Sequence, residues 1–252
     1  MSAPEGGSPP MTLRRLSAQA EMELRLLLRN GENLLVTLGI PIAILVFFSL
    51  VHVLPSRGDS PVDFLVPGVL ALSVVGAAMA SMGIATGFER FYLVLKRLGA
   101  TPLRRSELIA AKVLAILATE VIQVVLVVTV GLALGWSPRL GEAWLAVIAL
   151  LLGTAAFAGI GLGLAGSLRA VATLAVTNGL FMLMLLVSGI VFPLDVLPGL
   201  LRTVALALPA APLTDLLRAG LGGAPIPWAD LAILAAWAVG APLLAARVFR
   251  WE

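Results

Sequence analysis

The chain is 252 residues long, 60% of them hydrophobic and 12% charged, with a mean hydropathy of +1.05. Soluble domains are about 45–50% apolar and about 25% charged, so these residues cannot form one core under a polar shell, and the composition is that of an integral membrane protein. Seventeen basic against fourteen acidic residues leave +3, too small a surplus to argue for nucleic acid, and the lack of cysteine excludes disulfides, thiolate metal sites and a cysteine nucleophile.

Residues 1–10, rich in Gly, Ser and Pro, read as a disordered tail, and 11–252 as a single transmembrane domain without internal repeats. From Met11 to Arg29, apolar residues recur at Leu13, Leu16, Ala20, Leu24, Leu27 and Leu28 with charges between them, the spacing of an amphipathic helix. Such a helix lies in the cytoplasmic interface with Arg14, Arg25 and Arg29 toward anionic headgroups; its plainer reading is a topogenic flank.

A membrane helix needs about 20 mostly apolar residues. Windows of that kind fall at about 34–54, 64–88, 113–136, 143–168, 170–194 and 228–246, predicting six spans with both termini on one side. The first begins too late, and lacks an Ala-x-Ala-like exit, for a cleaved signal peptide. Thirteen Lys and Arg residues flank one side of these spans and four the other, which predicts cytoplasmic termini by the positive-inside rule.

Between the second and third windows, Glu89 to Lys112 forms a basic cytoplasmic segment. Phe88, Phe91, Leu95 and Leu98 stand at helical spacing against Arg90, Lys96 and Arg97; Gly99 ends that helix, and Thr101-Pro102 has the chemistry of a new helix start. The segment reads either as a short helix able to transmit a push from a partner or as a solvated positive-inside loop. In the third span, Glu120 is the one ionisable residue well inside a predicted span, His52 and Asp230 standing at the ends of theirs, and a structural role, neutral or bonded to a neighbour such as Gln123, is preferred over proton coupling. His52 has no second ligand nearby, no phosphate-loop motif occurs, and Gly83-x-x-x-Gly87 and Gly159-x-x-x-Gly163 are expected to serve packing within the subunit. Beyond the fifth span, the runs Val196 to Leu208 and Leu213 to Leu221, each too short to cross, read as short helices dipping into the outer leaflet.

The stretch Leu95-Lys96-Arg97-Leu98-Gly99-Ala100-Thr101-Pro102-Leu103-Arg104-Arg105-Ser106-Glu107-Leu108, ending in Lys112, resembles the cytoplasmic signature of ABC-2 type transporter permeases, in the flavour of bacterial antibiotic and multidrug exporters. Ser188-Gly189-Ile190-Val191-Phe192-Pro193-Leu194, with Leu197-Pro198, Leu208-Pro209 and Leu216-Leu217-Arg218, resembles that family's outer segment. One departure is Leu93, where many members have a glycine just before the helix corresponding to Val94 to Leu98. The resemblance implies an all-α membrane protein: six transmembrane helices, an amino-terminal interfacial helix, a cytoplasmic coupling helix between spans two and three, and outer re-entrant helices between spans five and six. It further implies two copies of a separate ATP-binding cassette subunit, a second permease, identical or homologous, and export across the inner membrane of a bacterium. ATP and Mg would sit on the partner ATPase, with no cofactor on this chain and no nucleic acid involved. The coupling surface would then comprise Glu89, Arg90, Lys96, Arg97, Gly99, Thr101, Pro102, Arg104, Arg105 and Glu107, the arginines and Lys96 pairing with acidic groups on the ATPase. A secondary carrier or channel using Glu120 is the alternative.

Overall fold

A computed structural model of the chain describes residues 11–31, 35–51, 60–98, 105–190, 194 and 197–249, and among them no strand occurs. The protein is all-α. Its first helix, α1 (Met11–Arg29), carries Gln19 and Glu23 one turn apart, joined by a 2.9 Å hydrogen bond, and an exposed Glu21–Arg25 ion pair on its surface. It lies chiefly against α5.

Helix α2 (Ile40–Val51) is preceded by a wide π turn, Leu35–Gly39. Pro41 explains what happens there: with no N–H, it cannot bond the Thr37 carbonyl one turn back. Gln123 Nε2, from α5, donates to that carbonyl at 2.9 Å instead. Gln123 is therefore spent on α2, and the partnership with Glu120 expected from sequence is not made.

Helix α3 (Pro61–Phe91) is the axis of the fold, its apolar window 83% buried. Its start follows from local chemistry. Ser60 at the N-cap accepts from the Asp63 backbone N–H at 3.3 Å and donates to the Asp63 carboxylate at 2.7 Å, while Pro61 opens the first turn. Around its middle the helix relaxes into π turns, Val75–Ser81. At Phe91–Leu93 it breaks, because Leu93 takes φ +59°, and the short α4 (Val94–Leu98) follows. The helical spacing read from Phe88 to Leu98 thus belongs to two helices. Position 93 is left-handed, where glycine is at ease and leucine is not. The leucine here occupies a turn that requires this backbone.

Helix α5 (Arg105–Ala133) begins ahead of the apolar window at 113 and carries the buried Lys112 within it. Gly135, at φ +92°, turns the chain toward α6 (Ala143–Ser167). α6 packs along α10 (Trp228–Val248), the tightest point being Gly159, where an added Cβ would stand 2.4 Å from the Pro242 nitrogen. Gly83 meets Gly161 and Gly87 meets Thr173 in the same fashion, so both Gly-x-x-x-Gly pairs pack within the chain. Helix α7 (Ala170–Val187) lies on the outside, 22% of its window buried.

Helices α8 (Gly199–Ala207) and α9 (Ala210–Gly222) are bent by 77° about Leu208-Pro209 and form a broken span or a re-entrant pair. Leu213, Leu216 and Leu217 of α9 are fully buried against α3 and α6. Among the described residues five helices are long and apolar enough to cross a membrane (α3, residues 106–133 of α5, residues 140–167, α7 and α10), or six if the bent pair counts as one. The stretch Thr37–Val51, inside the first window read from sequence, is shorter than a crossing among the described residues.

Candidate coupling site

Three helices meet at the base of α3. Lys112 of α5, 5% exposed, places its Nζ 2.7 Å from Glu89 of α3 and 3.0 Å from Glu23 of α1. Gln19 donates to the other oxygen of Glu23. Desolvating these charges is costly, and the net value of such a knot against an apolar replacement is small. Removing one member is a different matter, since it strands a buried charge. The knot accordingly joins α1, α3 and α5 through one ammonium.

Just beyond this knot the chain is exposed and apolar. Phe91, Tyr92 and Leu93 are 67%, 63% and 54% exposed, with Tyr92 stacked on Phe88 at 6.2 Å. In α4, Leu95 is buried and holds the short helix down, while Lys96 and Arg97 face outward. An apolar patch rimmed by cations suits a protein surface with an acidic border.

The other residues read from sequence are placed as follows. Arg90 is turned inward: its guanidinium donates to the Ala165, Gly166 and Leu168 carbonyls at the end of α6, at 3.0 Å for Ala165 and 2.8 Å for Leu168. It satisfies the carbonyls that a helix C-terminus leaves open. Glu107 is buried and already engaged within the chain. Arg105 begins α5, and Gly99, Thr101, Pro102 and Arg104 lie outside the described residues. Arg14 lies in α1, Arg25 pairs with Glu21 on that helix's own surface, and Arg29 is exposed at the rim of a cavity. Glu120 is buried and accepts from Thr154 Oγ1 of α6 at 2.6 Å. It is absent from the lining of two cavities of about 640 and 610 Å³ among the described residues.

Sequence reasoning overlooked Glu23 and read Lys112 only as a topogenic cation at the end of the cytoplasmic segment. A signal existed: Leu16, Ala20, Glu23 and Leu27 follow one another at four, three and four residues, so the glutamate stands on the apolar stripe of α1. Lys112 is one of only two lysines and borders an apolar stretch, which called for a buried partner.

At the opposite end of α3, the motifs of the outer segment converge. The Arg218 guanidinium sits 3.9 Å above the Phe64 ring and donates to the Gly189 carbonyl, and Asp215 pairs with it at 3.4 Å. Gly189 is at φ +73°, and Gly68 of α3 lets the Ile190 carbonyl approach so closely that a Cβ would stand 2.3 Å from it. Arg218 thereby ties the turn after α7 to the start of α3.

Comparison with known proteins agrees with this architecture. A family model described as ABC-2 type transporter matches residues 16–221, from α1 through α9. No curated protein matches the chain by sequence. The family model takes in the Lys112 knot, the α3–α4 turn and the Arg218 clamp, and over this span the chain belongs to the ABC-2 type transporter family.

Proposed function

We propose that this chain is the permease subunit of an ATP-driven exporter that moves an amphiphilic drug, antibiotic or lipid-like substrate outward across a bacterial inner membrane. Two copies of a separate ATP-binding cassette subunit hold ATP and Mg and perform the hydrolysis. A second permease, identical or homologous, completes the pathway. The observation that carries the reading is the Lys112 knot standing directly behind the exposed Phe91–Arg97 surface. A load on that surface passes through the Leu93 turn into α3, and the knot obliges α1 and α5 to follow. Two cavities among the described residues are lined mainly by apolar side chains, which favours an amphiphile over a strongly charged solute.

The alternative, a proton-coupled carrier, rests on Glu120, whose second oxygen has no partner among the described residues. Its bond to Thr154 in a packed helix interface supports a structural role instead. The two readings part on one experiment: reconstitution of the chain with and without its ATPase. Transport that requires ATP and the ATPase supports the exporter, and transport driven by a proton gradient without them supports the carrier.

A further inference from the structure

Beside the Lys112 knot lies a cavity of about 640 Å³, enclosed by α1, α2, α3 and α7. Its lining combines apolar side chains, among them Leu72, Ile84, Phe88 and Phe181, with polar Asn30, Thr37, Ser81 and Asn178 and the carboxylates Glu23 and Glu89. Among the described residues these two carboxylates share a single ammonium, Lys112, so the set is one negative charge in excess when both are ionised. Glu89 spends Oε1 on Lys112, and its Oε2 is buried without a partner among the described residues. The other cation on the lining is Arg29, which is exposed at the rim and hydrated, hence screened from the interior.

We propose that this cavity is the inward-side recognition site for a cationic amphiphile: an ammonium or similar donor head beside the Glu23 and Glu89 carboxylates, and an apolar body along Phe88, Ile84 and Phe181. A cation there offsets the carboxylate that Lys112 leaves uncompensated, where an anion would meet two carboxylates. The aromatic faces of Phe88 and Phe181 accept both a hydrocarbon body and, near the head, positive charge. The proposal names the substrate class of the exporter and rests on that reading for its physiological meaning, but not for the binding itself.

The test uses the purified full chain in detergent, without any ATPase, and two fluorescent probes. One is a dansylated decanediamine with a free ammonium; the other is its N-acetylated, neutral twin. The wild type is expected to bind the ammonium probe about tenfold more tightly than the twin, which corresponds to about 1.4 kcal/mol. Glu89→Gln should bring the ratio close to one. Ala80→Phe, which fills the cavity without touching the knot, should weaken both probes by about tenfold, and it decides the matter if Glu89→Gln fails to fold. Equal affinity of the two probes for the wild type, or binding that Ala80→Phe leaves unchanged, overturns the proposal. Cation-selective binding in a chain that proves not to be ATP-driven would contradict the exporter reading and leave this site standing. ATP-driven export without selective binding would overturn this site alone.

Discussion

Lys112→Met isolates what the knot contributes. Methionine keeps the length and most of the volume of the lysine stem, so the change removes the ammonium and leaves Glu23 and Glu89 facing one another inside the protein. Removing one partner from a buried ion pair costs about 3–5 kcal/mol. The lower end applies here, because the side chain of Glu89 is 21% exposed and that of Glu23 10%, and either can recover some hydration or take up a proton. Since Glu23 ties α1 to α5 through this knot, a large share of the loss falls on α1 docking. A loss of about 3 kcal/mol lowers the docked population about a hundredfold relative to the undocked one. Limited trypsinolysis reads this directly, since Arg25 and Arg29 lie on α1 and should be cut much faster in Lys112→Met than in the wild type. The exchange pair Lys112→Glu with Glu89→Lys restores one attraction across the same gap and should recover part of the protection. If Lys112→Met is cut at the wild-type rate and unfolds at the wild-type temperature, the knot does not hold the helices together, and the route by which α4 is said to move α1 and α5 is wrong.

Arg90→Lys should lower thermal stability by about 1–2 kcal/mol, because a single ammonium cannot replace a fork that serves three carbonyls, and an unchanged unfolding temperature would contradict that capping role. Gly159→Ala should destabilise by about 1–3 kcal/mol, since its Cβ would stand 2.4 Å from the Pro242 nitrogen, whereas Gly179→Ala, with nothing within 4 Å, should be neutral; equal unfolding temperatures for the two variants would refute the packing argument. Leu93→Gly should relieve about 1 kcal/mol of left-handed strain and raise the unfolding temperature while weakening association with the ATPase, because the exposed leucine is lost; stability that falls would place the strain elsewhere. Glu120→Gln keeps the hydrogen bond to Thr154 and removes only charge, so ATP-dependent export measured in vesicles should persist, and its loss in a normally assembled complex would promote the carrier reading.

Much of this molecule is legible in its sequence because the bilayer imposes a simple rule, that long apolar runs become helices. The windows at 64–88, 143–168 and 228–246 lie within a few residues of helices at Pro61–Phe91, Ala143–Ser167 and Trp228–Val248. Charges are where this rule loses sight of the fold. Lys112 reads from sequence as the solvated edge of the third window, yet within α5 it is buried between two carboxylates from distant parts of the chain. Arg90 reads as a cation for a partner, and only the folded chain brings the α6 carbonyls within its reach. Gln123 stands one turn from Glu120 and looks like its natural neighbour. It is claimed by a carbonyl that Pro41, 82 positions away in sequence, leaves without a donor. The break at Leu93 has a physical cause of the same kind, a backbone that the turn demands and that side-chain periodicity cannot report.

The account stands or falls on whether the Phe91–Arg97 surface receives an ATPase. The direct measurement is co-purification of the tagged chain with its ATP-binding subunit, wild type against Lys96→Glu/Arg97→Glu, with ATP-dependent uptake into inverted vesicles recorded on the same preparations. Both residues are exposed, so the double reversal should leave insertion and the unfolding temperature unchanged. The account predicts that the ATPase is recovered with the wild type and largely lost from the variant, and that uptake falls with it. Full recovery of the ATPase and undiminished uptake in the variant would contradict it.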